Sequence, residues 1–263
     1  CIEVQASSTA TDVGDEPLQI KRKFNNIRVV VDETRIMAVE RLASDVDVFL
    51  LDDAFQHRQI RAGLYVVLVD YNRPIFTDLM LPAGRLREPR RGINRADIVI
   101  VSKCPSSLST EAQERFAARL RLRRNQQVYF TRFGYGNLVS INSNKSVTNL
   151  QYANILMVTG VAQPRYMQQY LESQGAVVSC LSFTDHHSFC LSDMDKISRR
   201  FIQMPEGTIV VTTEKDCARL TPEMIAGMGS VPLYYLPVEV EFLSNNKLFD
   251  AQIISYIKAA NVY

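Results

Sequence analysis

Two adjacent carboxylates, Asp52 and Asp53, close an apolar run in the stretch "VFLLDDAFQHR" (48–58). At the carboxyl end of a buried strand a carboxylate can hold Mg²⁺ directly or through its waters. Two side by side are costly without a cation. Magnesium relieves that cost, and an Asp-rich turn capping the next helix uses the same residues; spacing alone leaves both readings open. The stretch "DVGDEP" (12–17) puts Asp12, Asp15 and Glu16 around one turn. As a helix start, its acids face a positive terminus, with Pro17 in the first turn. As chemistry, an Asp there can orient or deprotonate an attacking hydroxyl. The loop "LPAGRLREPRRG" (81–92) offers the guanidinium forks of Arg85, Arg87, Arg90 and Arg91 to phosphate oxygens, with Glu88 as a further metal or network ligand. The dull reading is a solvated loop. "TDHHSFCLSD" (184–193) carries His186 and His187, but no Cys or further His stands at metal-ligand spacing, which favours structural histidines. In "VTTEKDCARL" (211–220), Thr212 or Thr213 can cap a helix bearing Lys215 and Asp216 on its surface, and a structural role is favoured.

The elements that must position these groups are legible as short Val- and Ile-rich runs: "IRVVV" (27–31), "VFLL" (48–51), "LYVVLV" (64–69), "DIVIV" (97–101), "NILMV" (154–158), "AVVSC" (176–180) and "TIVVT" (208–212). Continuous runs of this kind suit strands buried on both faces. Helical patterns alternate with them at 32–44, 109–124, 162–174 and 192–203. The alternation predicts an α/β protein with mostly parallel sheet flanked by helices. The polar stretch 133–151 reads as a linker carrying a β-hairpin. The expected division is a core domain at 1–132, the linker at 133–151, and a smaller α/β domain at 152–232. A return strand and helix packing on the core then occupy 233–263.

Composition sets limits. The 263 residues are 46% hydrophobic with a formal net charge of +2, enough for one large or two smaller cores and no general argument for nucleic acid. Five scattered cysteines without a CxxC pair read as reduced thiols in a cytoplasmic protein. No apolar run approaches the ~20 residues needed to span a bilayer. None of the eleven glycines begins the phosphate-cradling G-x-x-x-x-G-K-[ST] pattern. The chain begins at Cys1 and runs at once into "CIEVQASSTATDVGDEP", which reads as a fragment whose terminus lies upstream; a processed start is the other reading.

Taken in order, "VGDEP", "DDAFQHR", "LPAGRLREP", "RADIVIVSKCP", "TGVAQPRY", "DHHSF" and "TTEKDCARL" resemble the tetraacyldisaccharide 4′-kinase family of lipid A biosynthesis, in its Bacteroidetes form. The resemblance spans nearly the whole chain. It implies a P-loop-kinase-like fold with a smaller C-terminal α/β domain joined by a β linker, and a phosphate loop that precedes "GDEP". It implies transfer of the γ-phosphate of ATP, with Mg²⁺, to the 4′-hydroxyl of an acylated glucosamine disaccharide 1-phosphate. The setting it implies is the cytoplasmic face of the inner membrane, with membrane contact either peripheral or through an N-terminal anchor outside this chain.

Carried over by residue, the resemblance makes Asp15 the catalytic carboxylate and His186 its partner. Arg87 becomes the cation for transition-state charge, Asp52 and Asp53 the nucleotide and metal site, and Glu88 a further metal ligand. It overrides the structural reading of His186. It leaves Gln56 and His57 without a role. Ala54 stands where many relatives have Gly, a departure that matters if the turn needs positive φ there. The 263 residues alone are expected to be inactive, lacking the phosphate loop. The competing functions are a non-catalytic module binding acylated sugar or lipid and, further off, a soluble kinase for a small metabolite.

Overall fold

The computed structural model describes residues 1–143 and 146–260. The chain packs as two units, one from Cys1–Glu33 and Tyr135–Val238, the other from Thr34–Gly134 together with the chain from Glu239 onward. In chain order, the first 33 residues form β1 (Ile2–Glu3), α1 (Ala10–Val13), α2 (Asp15–Lys23) and β2 (Val30–Val31). There follow α3 (Arg35–Leu42), β3 (Val66–Asp70), a 3-10 turn (Arg90–Arg95), β4 (Ile98–Ser102), α4 (Thr110–Leu120) and β5 (Gln127–Tyr135). Next come β6 (Leu138–Ser140), β7 (Ser146–Val147), β8 (Asn154–Thr159), α5 (Arg165–Ser173) and β9 (Val177–Ser182). The chain then forms α6 (Leu191–Ile202), β10 (Ile209–Thr213), α7 (Glu214–Arg219), α8 (Pro222–Gly227) and β11 (Leu233–Leu236). It closes with β12 (Val238–Phe242) and α9 (Asn246–Ala260).

The first unit is built on a sheet in the order β7-β6-β11-β10-β8-β9. Strands β9, β8, β10 and β11 are parallel, and β6 and β7 form an antiparallel hairpin at one edge. Strand β8 shows why an unbroken apolar run suits such a sheet. Its Leu156 and Val158 pack with Met194 and Ile197 of α6, while Ile155 and Met157 pack with Met167 and Leu171 of α5. Period-two side chains are thus buried on both faces, and each helix meets the sheet with one i, i+3 or i, i+4 stripe. The β1–β2 ribbon and α1–α2 share a small core of Val4, Val13 and Leu18, and α2 packs beside α7.

The second unit has a four-stranded sheet, β12-β5-β4-β3, in which β3, β4 and β5 are parallel. Val99 and Val101 face a core that includes Phe116, Leu120 and Phe130. Ile98, Ile100 and Tyr129 face Phe242, Phe249 and Ile253, which brings α9 onto the sheet.

The fold class is the α/β architecture expected, and the local differences have physical causes. Residues 48–51 form no strand: Leu50 is 92% exposed, and in the described sheet the outer side of β3 has no ladder partner. The run 233–242 is two strands in two sheets, because Pro237 between them has no N–H to continue a ladder. The division into units also differs from the expected boundaries. Residues 1–33 join residues 135–238 through the α2–α7 packing, and the hairpin of the supposed linker is part of the six-stranded sheet.

Leu156 has no exposed surface. Its truncation to Ala is expected to cost about 2–5 kcal/mol, whereas Ala at Ile202, which is 79% exposed at the end of α6, stays within about 0.5 kcal/mol. Equilibrium denaturant unfolding compares the two.

Candidate functional site

In the first unit the carboxyl ends of β8, β9 and β10 lead into Gly160, the turn at 183–187, and α7. This is the edge at which parallel sheets present ligand groups. Helix α2 brings Asp15 to it. Gly14 precedes Asp15 at φ 88°, a conformation that a side chain disfavours.

Asp15 Oδ2 accepts from Arg219 Nε at 3.1 Å and closely from Arg219 Nη2, while its Oδ1 accepts from the Glu16 N–H at 3.0 Å. Lys215 Nζ lies 3.7 Å from Asp15 and 2.9 Å from Glu16. Lys215 and Arg219 stand at i and i+4, so one face of α7 carries both cations. Burial pushes the Asp15 carboxyl up. The Arg219 hydrogen bond, with the charges of Lys215 and Arg219 and the Glu16 N–H, outweighs it and holds the group below the ordinary carboxylate value.

Arg219 is itself fixed from behind. Its Nη1 donates to Asp216 Oδ1 at 2.9 Å and to the Gly160 carbonyl at 3.2 Å. Asp216 is fully buried, and its Oδ2 accepts from the Gly160 N–H at 2.9 Å and the Thr213 hydroxyl at 2.8 Å. Thr213 also caps α7, accepting from the Asp216 N–H at 3.0 Å. The sequence reading left α7 with a structural role and missed Arg219. The spacing Lys215-x-x-x-Arg219 was the available signal, but nothing in it shows that both point at Asp15.

The two histidines part company. His187 Nε2 meets Asp193 Oδ2 at 2.9 Å, and its ring stacks on Phe183, a structural arrangement. His186 adopts φ 57° and leaves its side chain 63% exposed. Its backbone N–H donates to the Gly160 carbonyl at 3.1 Å, and its Nδ1 lies 3.7 Å from Asp15 and 3.2 Å from Arg219 Nη2. A non-glycine residue in the left-handed region is a strain that surrounding contacts must sustain.

In the second unit, Arg87 grips Asp53 with both fork nitrogens, Nη2 to Oδ1 at 2.6 Å and Nη1 to Oδ2 at 3.2 Å. The left-handed residue of this turn is Asp53, at φ 44°, and not Ala54, so the alanine is unstrained. Asp52 accepts from the Asp53 N–H at 3.0 Å. The Arg87 hydrogen bond, against some burial, lowers the Asp53 carboxyl, and Arg87, Arg35 and His57 charge adds to it.

Glu88 departs from the expected metal trio. Arg95 holds both of its oxygens at 2.9 and 3.1 Å, and Arg58 lies 3.9 Å away. Among the described residues no three His, Cys, Asp or Glu side chains gather as a metal-holding group, so Asp52, Asp53 and Glu88 do not close around one ion. Asp52 and Asp53 still provide the donor chemistry that suits Mg²⁺, which takes one or two carboxylates, waters and phosphate oxygens. Glu88, Arg58, Arg91, Arg95 and Arg123 border a cavity of about 760 Å³.

A family model described as "Tetraacyldisaccharide-1-P 4'-kinase" matches residues 1–258. The chain belongs to the tetraacyldisaccharide-1-phosphate 4′-kinase family. A relative from Bacteroides fragilis, named tetraacyldisaccharide 4′-kinase, is 43% identical, with 96% of this chain and 71% of the relative covered. A relative of the same name from Flavobacterium johnsoniae is 38% identical, with 96% and 72% covered. The fold also matches the crystal structure of the "apo" form of LpxK from Aquifex aeolicus in complex with ATP. The TM-score is 0.67 at 22% identity, over 95% of this chain and 71% of that one. Family membership accounts for the co-occurrence of the motifs, and the structure adds what holds Asp15 and Asp53 in this kinase-family chain.

Because Arg87 is the first cause of the low Asp53 titration, Arg87→Ala is expected to move that carboxyl up toward its ordinary range, with Arg87→Lys intermediate for want of a fork. Carboxyl-carbon NMR titration of Asp53 reads the shift, and an unmoved Asp53 means the fork exerts no such hold.

Proposed function

We propose that the protein transfers the γ-phosphate of ATP to the 4′-hydroxyl of tetraacyldisaccharide 1-phosphate, a step of lipid A biosynthesis. The observation that carries this reading is Asp15, oriented by Arg219 beside His186 at a carboxyl sheet edge, in a chain of the 4′-kinase family. The acceptor is the one that names the relatives, and ATP is the ligand named for the Aquifex aeolicus structure.

Asp15 is the base in this reading. The 4′-oxygen forms its bond to the γ-phosphorus as the bond to the β,γ-bridging oxygen breaks. The hydroxyl proton passes to Asp15 Oδ1, which accepts only the Glu16 N–H among the described contacts, and ADP leaves. A carboxylate held at low pKa is a weak base, but phosphoryl transfer goes through a loose transition state in which positioning outweighs proton abstraction. His186, largely exposed beside Asp15, is assigned to the sugar side. Arg87 is assigned to the charge on the transferred group, its fork matching phosphoryl oxygens. Asp52 and Asp53 are the residues that would hold Mg²⁺, which when bound neutralises phosphate charge.

The acceptor's acyl chains contribute about 0.8 kcal/mol of membrane affinity per buried CH₂. We therefore place the reaction at a membrane surface and, for lipid A assembly, at the cytoplasmic face of the inner membrane. No helix among the described residues is long and apolar enough to cross a membrane, so the contact assigned to them is peripheral.

In the full-length protein, Asp15→Asn is expected to lower kcat for ATP-dependent disaccharide phosphorylation by about 10²–10⁴-fold while leaving ATP binding in place. Wild-type rate in that variant removes Asp15 from the chemistry. Chelation of divalent cations is expected to stop the reaction and added Mg²⁺ to restore it; turnover that continues without a divalent ion withdraws the metal assignment. A wild-type protein that binds the acylated disaccharide but never consumes ATP is the outcome a non-catalytic binding module gives.

A further inference from the structure

Asp15 and His186 do not touch. Their closest nitrogen–oxygen approach is 3.7 Å, beyond hydrogen-bond range. What touches both is Arg219, through Nε and Nη2 to Asp15 and through Nη2 to His186 Nδ1 at 3.2 Å. We propose that Arg219, anchored by buried Asp216, is the positioning residue of the phosphotransfer site, joining Asp15 to His186 and fixing which imidazole nitrogen carries the proton. The proposal rests on the Asp15 and His186 roles given above.

The chemistry of the donor decides the proton. A guanidinium has only N–H donors and no acceptor. A ring nitrogen facing it at hydrogen-bond distance must present a lone pair, so His186 Nδ1 is the acceptor and the neutral ring carries its hydrogen on Nε2. The Nε2 edge of this exposed ring, with Asp185 Oδ2 4.0 Å away, is then a donor, suited to a sugar or phosphate oxygen. Were Asp15 the direct partner of Nδ1, that nitrogen would carry the hydrogen and the Nε2 edge would be an acceptor. The two arrangements give opposite tautomers.

The anchoring of Arg219 is specific. Its side chain is 8% exposed, and every one of its nitrogens has a partner: Asp15 for Nε, Asp216 and the Gly160 carbonyl for Nη1, Asp15 and His186 for Nη2. Gly160 ties the set together. Its N–H reaches Asp216, and its carbonyl receives both Arg219 and the His186 N–H. A Cβ at Gly160 would lie 3.2 Å from Asp216 Oδ1 and 3.2 Å from the His187 Cβ, so the backbone approaches where a side chain crowds. The charged groups facing Asp15 are Lys215 and Arg219 from α7, with the His186 ring from the turn after β9. Lys215 sits at a longer distance and has Glu16 as its nearer partner. It supplies charge without a fork.

The test uses the full-length protein, with ring ¹⁵N NMR of His186 at about pH 8, above the ordinary imidazole range. The wild type is expected to show the Nε2–H tautomer. Asp15→Asn leaves Arg219 in place and is expected to keep that tautomer alone, whereas Arg219→Gln is expected to relax it to the mixture of a solvent-exposed imidazole, with a measurable Nδ1–H share. Arg219→Gln is also expected to lower kcat roughly 10–100-fold through misplaced reacting groups, with the ATP KM little changed. If Arg219→Gln does not give a folded protein, Arg219→Met serves in its place, since it keeps an unbranched stem and presents no N–H to His186. A wild-type Nδ1–H tautomer, a tautomer that follows Asp15→Asn instead of the Arg219 variants, or full turnover in a folded Arg219 variant overturns the proposal. An active Asp15→Asn variant sinks the catalytic reading of Asp15 separately, because the tautomer measurements do not depend on turnover.

Discussion

A carboxylate with no access to solvent must be surrounded by donors, since an unpaired buried charge or polar group costs several kcal/mol in practice. Asp216 is that carboxylate here, and its three side-chain acceptor contacts come from three sources: the Gly160 backbone after β8, the Thr213 hydroxyl at the end of β10, and Arg219 one turn along α7. Satisfying it pins the ends of two neighbouring parallel strands and one helix to a common point. The remaining arms of Arg219 are then aimed outward with little freedom left, and they meet Asp15. Removing either partner leaves the other's charge poorly matched, so the pair is fixed by the cost of breaking it more than by any surplus attraction.

The second unit solves a related problem differently. Asp53 and Arg87 are both more than half exposed, with side-chain exposures of 63% and 56%. Solvent competes for both, and an exposed pair adds little to stability. What the fork provides is orientation. A bidentate contact holds a carboxylate and a guanidinium in one plane, and the same fork geometry accommodates phosphoryl oxygens. The adjacent acids that a sequence presents as a puzzle of like charge are thus separated in role. Asp53 has an arginine, while Asp52 makes a local turn contact with the Asp53 N–H.

The α/β class was legible because burial on both faces leaves continuous Val and Ile runs, as in β4, β8 and β10. Such runs report local burial and carry no record of which sheet a strand joins. That is why residues 1–33 were assigned to the wrong neighbours, and why the run 233–242 read as one strand despite Pro237. Residues 48–51 show the converse: apolar composition alone does not make a strand, even where β3 leaves one side unpaired in the described sheet. The candidate residues of the two units divided along the same line. Asp15, Asp53, Arg87 and His186 stood in short motifs that a family likeness could mark. Arg219 was passed over because its partners Asp15, Gly160 and His186 are 204, 59 and 33 residues away along the chain, and no spacing rule reaches that far.

On the proposed reading of Asp15 as the base, its paired state bears on how such a group can work at all. Proton affinity is lowered when an arginine shares the carboxylate, which for a reaction requiring early deprotonation would be a handicap. In a loose phosphoryl transfer the nucleophile gains little bonding before the transition state, and its proton is lost late. A base that stays ionised and holds one orientation is then worth more than a stronger base that wanders. The arrangement seen here has that property: one carboxylate oxygen is taken by Arg219, and the other is left with a single backbone contact. The direction of the open oxygen is set by a guanidinium that is itself set by a buried acid, so the orientation of the Asp15 carboxylate is inherited from the sheet.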